Sequence, residues 1–258
     1  MRQRLLGYSP LTVAAFSLAV ATVLAAMLGA LGSRWDWWHF STGFTIVRWA
    51  GYAAVVAAFS ALAGFFWALF RKSRGGLLAL GTLLISLAFV GNLYRMTQLA
   101  ESLPPIHDIT TDVNDAPAFV TIRELRAEAP NPSEYAGAEV ARLQQEAYPD
   151  IEPVILDDPY GLAFERALDT AHRMGWELVD KDRREGRIEA VDRTFWFGFY
   201  DDVVIRLQPL DEGTRVDVRS KSRVGRHDFG TNADRIRSYF DTLLGRDIYW
   251  DIFRSTTP

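Results

Sequence analysis

The sequence has 258 residues, contains no cysteine and distributes its charges unevenly. Eight of its 28 Lys and Arg residues precede residue 98, but only one of its 32 acidic residues does. The lack of cysteine excludes disulfides, thiolate nucleophiles and zinc–thiolate or iron–sulfur sites. The acidic second half argues against nucleic acid as a partner, because such binding needs clustered cations. The change in charge predicts a lipid-facing first half and a water-facing second half.

Three long apolar runs predict three transmembrane helices within a membrane domain of residues 1–98. The runs cover residues 11–31, 49–70 and 77–94. Each is close to the roughly 20 residues that cross a hydrocarbon core, and none contains a charged residue. The alternative interpretation of the first run is a cleaved signal peptide, since Ala30, Leu31 and Gly32 resemble a small-residue cleavage site.

The placement of cations predicts the orientation of these helices. Lys and Arg gather near cytoplasmic helix ends, which here are marked by Arg2, Arg4, Arg71, Lys72 and Arg74. We therefore expect a bacterial inner-membrane protein with a cytoplasmic amino terminus and a periplasmic soluble domain. Tryptophans predict an aromatic belt at the outer face: Trp35, Trp37, Trp38 and Trp49.

Small residues form a regular seam along the second run, at Ala50, Ala54, Ala57, Ala61 and Gly64. Such a seam lets helix backbones approach closely in lipid. We favour packing inside the three-helix bundle, and the alternative is a surface for a helix of another protein. The expected partners are thus membrane lipid and, under the alternative, other inner-membrane proteins.

Residues 99–150 have the composition of a linker followed by a surface arm. Pro104 and Pro105 lie in the linker, and one helix is expected near residues 135–146. His107, Asp108 and Asp112 suggest a metal site, but they lack a closed ligand set. Local turn hydrogen bonds are the favoured role of such side chains, so we expect no metal and no cofactor.

Residues 151–258 have the pattern of an α+β domain. A short strand at residues 151–156 precedes a helix that opens at Pro159 and ends at Gly175. Four further strands begin at Trp176, Ile188, Tyr200 and Thr214, and a helix covers residues 232–244. This order predicts a two-layer antiparallel-sheet/helix sandwich with both helices on one face of the sheet.

The segment 219–236 contains the densest group of cations, hydroxyls and glycines, and it reads as a strand, a turn and a helix capped by Thr231 or Asn232. A helix amino terminus favours an anion, because its amides are unpaired. The anion-binding candidates are Arg219, Ser222, Arg223, Arg226 and Asn232. The favoured alternative is structural: Arg223 and Arg235 pair with Asp202, Asp228 and Asp234 and order the turn.

The aromatic segment 195–200 is expected to be a strand with Trp196 and Tyr200 on one side. Such an exposed aromatic surface marks a partner, a lipid or a groove. Trp196 and Tyr200 are therefore interaction candidates. The favoured alternative is that the arm of residues 114–150 covers them.

Asp201 and Asp202 form a pair of carboxylates that could divide acid and base roles. Neighbours on a strand point to opposite faces, however, so the two should not share a proton. An alternative catalytic set is Asp202 as base with Ser222 and Arg223. We favour cross-strand ion pairs to Arg206, Arg219 or Arg223.

Three motifs carry a resemblance to a known family. They are residues 106–112 (IHDITTD), residues 194–199 (TFWFGF) with 201–204 (DDVV), and 222–225 (SRVG) followed by Asp228, Gly230, Asn232, Arg235 and Ile236. Together they resemble the DUF1499 family, a domain of unknown function, over roughly residues 104–245. The resemblance implies no settled reaction.

Two functional hypotheses follow. We favour a membrane-anchored, non-enzymatic accessory or binding subunit of an inner-membrane or envelope complex. The alternative is a periplasmic binder of anions or lipid phosphate, or a hydrolase, that uses the Arg223 and Asp202 region.

Overall fold

The computed structural model describes residues 8–71 and 74–246. Arg2, Arg4 and Lys72, on which the predicted orientation partly rests, lie outside these ranges. The chain forms two compact units divided between Leu99 and Ala100, and Phe195–Gly198 groups with the first of them. We call the first the membrane unit and the second the sheet unit.

The part of the membrane unit that the structure describes contains three long helices: α1 (Pro10–Arg34), α2 (Phe40–Arg71) and α3 (Gly76–Ser102). All three are long and apolar enough to cross a membrane, as the sequence predicts. The Ser9 hydroxyl caps α1 by accepting a hydrogen bond from the Thr12 amide. Helix α2 begins at Phe40 rather than near residue 49, because a helix continues beyond the apolar segment that suits the hydrocarbon core.

Small residues let α1 and α2 pack closely. The predicted seam, Ala50, Ala54, Ala57, Ala61 and Gly64, is buried throughout. A Cβ atom on Gly64 would lie 2.9 Å from Thr12 Oγ1, and one on Gly43 would lie 2.5 Å from the Gly29 carbonyl oxygen. The seam therefore packs against α1 of the same chain.

The described residues of the sheet unit form six antiparallel strands and four helices, which confirms the predicted α+β class. The strands are β1 (Asp108–Thr110), β2 (Val154–Leu156), β3 (Glu177–Asp182), β4 (Arg187–Arg193), β5 (Tyr200–Pro209) and β6 (Thr214–Ser222). The helices are α4 (Ile122–Leu125), α5 (Ala138–Ala147), α6 (Tyr160–Arg173) and α7 (Thr231–Leu243). The strand order is β1-β6-β5-β4-β3, and β2 also pairs with β6.

Helices α6 and α7 pack with one face of the sheet in the main core. Alternate residues of β5 and β6, such as Val203, Ile205 and Val218, supply its sheet side. Trp176 stacks on Tyr239 of α7 with ring centroids 5.3 Å apart. This face matches the predicted sandwich.

The opposite face of the sheet is covered by residues 112–134, which include α4. Phe119 and Ile122 from this arm pack against Val191 and Val204. The sheet is therefore covered on both sides, and the polar residues of β6 that point toward the arm are buried. This covering layer extends the predicted two-layer arrangement.

Strand β1 lies in the segment that we expected to be a linker. Its three residues are all buried and pair with Arg219–Lys221 of β6. The Gln144 side chain hydrogen-bonds to the backbone at the outer edge of β1. It accepts from the Thr110 amide at 3.0 Å and donates to the Thr110 carbonyl at 2.6 Å. A strand this short gives little periodicity, and its stability depends on that distant glutamine.

Candidate functional site

The segment predicted to bind an anion forms β6, a turn and α7, but its helix amino terminus already holds a carboxylate. Asp228 accepts hydrogen bonds from the amides of Gly230 at 2.9 Å and Asn232 at 3.0 Å. Gly230 itself is the N-cap residue and has a φ of 81°, in the left-handed region. The prediction that Thr231 or Asn232 caps the helix is wrong. The Asp228 carboxylate occupies the place that an external anion would take.

Asn232 connects three elements of the sheet unit. Its Oδ1 accepts from Ser220 Oγ and Arg235 Nη1, both at 2.7 Å. Its Nδ2 donates to the His107 carbonyl and to Ser222 Oγ. Asn232 and Ser222 are both buried, so these two anion-binding candidates hold α7 to β6 and to the segment before β1.

Arg235 of α7 binds the carboxylate on the helix side of β5. Its Nη2 lies 2.6 Å from Asp201 and 2.8 Å from Asp192. The expected partners Asp228 and Asp234 are not the ones it contacts, since Asp228 caps α7 and Asp234 pairs with Arg237. Burial raises the pKa of the Asp201 carboxyl despite its contact with Arg235.

Asp202 points to the opposite face, as alternation along a strand requires. It lies between two guanidinium groups, 2.8 Å from Arg126 Nη1 and 2.7 Å from Arg223 Nη2. Its side chain is fully buried, with an exposed fraction of 0%. The predicted ion pair to Arg223 is present, whereas Arg206 and Arg219 have other partners. The contact with Arg126 was not predicted, because that residue lies 76 positions away and has no motif around it.

Arg219 and Lys221 share one carboxylate on the same face. Asp108 contacts Arg219 Nε at 2.8 Å and Lys221 Nζ at 2.9 Å. Arg219 also lies over the rings of Phe119 and Tyr135, at 4.8 and 5.4 Å from their centroids. Burial lowers the pKa of Lys221. Arg219 is therefore part of an internal cluster.

The three sequence motifs thus converge. Residues 106–112 supply Asp108 to the cations of β6, residues 201–204 supply carboxylates to Arg235 and Arg126, and residues 222–236 supply Asn232 and Arg235. A family model described as a protein of unknown function (DUF1499) matches residues 108–243. The chain belongs to the DUF1499 family.

The DUF1499 match begins at β1 and ends with α7, so it covers the sheet unit and leaves out α1–α3. It confirms the resemblance carried by the three motifs. No curated protein matches the sequence. Within the described parts of the DUF1499 domain and of the membrane unit, no group of three His, Asp or Glu side chains is placed to hold a metal ion.

The aromatic motif of the DUF1499 match is a turn, and the prediction of a continuous strand is wrong. β4 ends at Arg193 and β5 begins at Tyr200. Thr194 and Phe199 close the turn, with the Thr194 amide donating to the Phe199 carbonyl at 2.9 Å. Gly198 has a φ of 70°, which a β-branched or aromatic residue rarely adopts. Alternation of side chains therefore does not apply to residues 195–199.

The interaction candidates Trp196 and Tyr200 are separated by this turn. Trp196 is 50% exposed and Phe195 is 69% exposed. The expected cover of Trp196 by residues 114–150 is therefore wrong. Tyr200, at the start of β5, lies between Arg193 and Arg223, whose guanidinium carbons are 4.9 and 5.2 Å from its ring centroid. Of the predicted anion ligands, Arg226 is the one on the exposed part of the turn before α7.

A groove of the DUF1499 domain was not predicted. It has a volume of about 460 Å³ and opens where β1 and β2 separate along β6. Its lining includes Thr111, Asp112, Gln145, Tyr148, Glu152 and Arg215. These residues come from three separate segments, so no local pattern in the sequence indicates the groove.

Proposed function

We propose that this chain is a membrane-anchored, non-enzymatic accessory or binding subunit of a bacterial inner-membrane or envelope complex, with its DUF1499 domain in the periplasm. The observation that carries the proposal is the burial of Asp202 between Arg126 and Arg223. A general base must reach the proton that it abstracts, directly or through one water. A carboxylate with no exposed surface and two cationic partners is suited to holding strands and arm together.

The anion-binding alternative has less support. Arg219 and Arg223 each bind a carboxylate of the same domain, and Asp228 occupies the amides at the start of α7. Arg226 is exposed, but one exposed cation beside a helix terminus does not make a phosphate site. We therefore assign these residues to the stability of the DUF1499 domain.

The periplasmic placement is supported by the charges at the ends of α1 and α2. Arg71 ends α2 and Arg74 precedes α3, so cations lie in the connection between these two helices. The other connection, residues 35–39, contains three tryptophans and Asp36, which offsets Arg34 at the end of α1. Because Lys and Arg favour the cytoplasmic side, we expect the end of α3 on the opposite side.

The groove between β1 and β2 gives the domain a concave surface for a partner. Acidic and basic groups face each other in its lining, where Arg215 lies 2.7 Å from Asp112. A surface with both charges suits a polypeptide better than a phosphate group. Gln145 in the lining is exposed, so it can report what enters the groove.

The topology can be tested cleanly because the natural sequence has no cysteine. Glu212→Cys, in the β5–β6 turn, should react with a membrane-impermeant maleimide in cells whose outer membrane alone is permeabilised. Tyr8→Cys should react only after the inner membrane is opened. The reverse pattern would disprove the periplasmic placement.

The binding role can be tested by site-specific photo-cross-linking in native membranes. A photo-reactive residue in place of Gln145 should give a discrete adduct of defined mass, and the same residue in place of Glu185, in the exposed β3–β4 turn, should not.

A second pair of measurements tests the alternative that the chain is a hydrolase. Asp202→Asn should lower thermal stability, and a stable Asp202→Asn protein that has lost a phosphatase or esterase activity of the wild type would contradict the proposal.

A further inference from the structure

The turn Phe195–Gly198 belongs to the membrane unit, although it connects two strands of the sheet. Within that unit, Arg34 Nη1 donates to the Phe195 carbonyl at 3.0 Å and Ser33 Oγ donates to the Phe197 carbonyl at 3.3 Å. Both donors lie in the last turn of α1. The backbone of the turn is therefore bound at one end of a helix that is apolar enough to cross a membrane.

The Phe197 ring packs into the start of α2. Its centroid is 4.5 Å from that of Phe44, and a Cβ atom on Gly43 would lie 3.0 Å from Phe197 Cε1. Gly43 thus leaves the space that the ring fills. These contacts fix the position of the turn relative to α1 and α2 inside the membrane unit.

Two neighbouring aromatic side chains of the turn remain open to the surroundings. Phe195 and Trp196 are in edge-to-face contact with centroids 5.1 Å apart, and they are 69% and 50% exposed. Trp35 and Trp37, in the α1–α2 connection, are 52% and 61% exposed. Four large aromatic side chains are thus exposed at the same end of α1, where Arg34 lies 5.8 Å from the Phe195 ring.

We infer that the turn Phe195–Gly198 is a membrane-binding element whose Phe195 and Trp196 side chains insert into the outer interface of the bilayer beside Trp35 and Trp37. Tryptophan prefers the headgroup level, where its ring is in contact with acyl chains and its N–H is hydrated. An arginine at the same level contacts lipid phosphate while its stem covers apolar surface. The occupant of this aromatic surface is lipid, because exposed Trp35 and Trp37 directly follow α1, a helix long and apolar enough to cross a membrane.

This inference rests on the part of the proposed function that places α1–α3 in a bilayer, and the experiment separates the two. Single cysteines in the otherwise cysteine-free chain are labelled with an environment-sensitive fluorophore, and each protein is reconstituted into vesicles of phosphatidylethanolamine and phosphatidylglycerol. The sites are Trp196→Cys for the turn, Leu84→Cys for the exposed side of α3 and Glu212→Cys for the β5–β6 turn. Phe195→Cys replaces Trp196→Cys if the latter does not elute as a folded protein.

The label at Trp196 should have blue-shifted emission and should be protected from iodide. A spin label near the headgroup should quench it roughly twofold more than one deep in the acyl chains, as expected at the interface. The label at Leu84 should be quenched best by the deep spin label, and the label at Glu212 by iodide.

Quenching of the Leu84 label by the deep spin label, together with water-like emission from the labels at Trp196 and Phe195, would overturn the inference and leave the anchor intact. Water-like emission at Leu84 would overturn the anchor itself. Protection of Trp196 in native membranes but not in these vesicles would identify a protein and overturn the assignment to lipid.

Discussion

The Asp108 carboxylate receives two hydrogen bonds from Arg219, from Nε at 2.8 Å and from Nη2 at 2.9 Å, across the β1–β6 pair. Lys221 Nζ contacts the same carboxylate at 2.9 Å. All three side chains are almost fully buried. One carboxylate from a three-residue edge strand therefore balances two buried cations of the neighbouring strand β6.

Replacing Asp108 should strongly destabilise the sheet unit. Asp108→Asn keeps the size of the side chain but leaves Arg219 and Lys221 buried without a counter-charge. Loss of one partner from a buried ion pair costs about 3–5 kcal/mol. The measurement is the denaturant midpoint of the full chain in detergent. Unfolding is monitored through a spectroscopic signal from the sheet unit.

A surface ion pair provides the matched control for Asp108→Asn. Glu139 pairs with Arg142 at 2.7 Å on α5, where both side chains are more than half exposed. Glu139→Gln should leave the denaturant midpoint nearly unchanged, because an exposed ion pair is screened by solvent. Equal effects of the two substitutions would show that Asp108 does not hold the cluster.

Arg126 should hold the arm of residues 112–134 on the sheet. It donates to Asp202 and to the carbonyls of Asn131, Lys221 and Ser222. Arg126→Ala would leave a buried carboxylate with one cation fewer, so we expect a loss of about 3 kcal/mol and faster amide hydrogen exchange in the arm. Arg123→Ala, at an exposed position of the same short helix, should leave exchange unchanged. Unaltered exchange in Arg126→Ala would mean that Phe119 and Ile122 alone hold the arm.

Patterns that repeat over many residues were predictable. Three charge-free runs indicated α1–α3, because about 20 apolar residues are needed to cross a bilayer. Alternation at β5 and β6 placed Asp201 and Asp202 on opposite faces. The two amphipathic helices, α6 and α7, follow from apolar residues at helical spacing.

Features that depend on distant partners were not predictable. β1 is a strand because it pairs with β6, about 110 positions away, and its outer edge is hydrogen-bonded by Gln144, 34 positions away. The arm is a layer because Arg126 reaches a carboxylate 76 positions away. In the segment 195–200 alternation suggested a strand, but the positive φ of Gly198 makes a turn. The exposed aromatic side chains therefore differ from those that a continuous strand would expose.

Lys221 should make the stability of the sheet unit depend on alkaline pH. Burial lowers its pKa below the ordinary value of 10.5. Between its folded pKa and 10.5, the unfolded state binds more protons than the folded state, so stability rises with pH in this window. The stability of the wild type relative to Lys221→Met should therefore increase from neutral pH toward 10.5. The measurement is the melting temperature of both proteins in detergent at each pH.

The control for this pH dependence is Lys181→Met, which removes a lysine from an exposed position of β3. It corrects for the change in net charge. A stability difference between the wild type and Lys221→Met that falls as pH rises would show that the Asp108 contact outweighs burial and that the sign is reversed.

Close contact between Gly29 of α1 and Gly43 of α2 should be essential for the membrane unit. A Cβ atom on Gly43 would lie 2.5 Å from the Gly29 carbonyl oxygen, a backbone atom that cannot move aside without shifting the helix. Gly43→Ala should therefore force α1 and α2 apart and destabilise their pair by about 1–3 kcal/mol. Gly81→Ala is the matched control on α3, because no atom beyond the neighbouring backbone of α3 lies within 4 Å of the added methyl group. The thermal unfolding of the α1–α2 pair can be followed in lipid nanodiscs. The signal is the magnetic interaction between spin labels on the cysteines of a Tyr8→Cys, Leu69→Cys double variant. A Gly43→Ala protein as stable as Gly81→Ala would show that the two helices do not pack through these glycines in lipid.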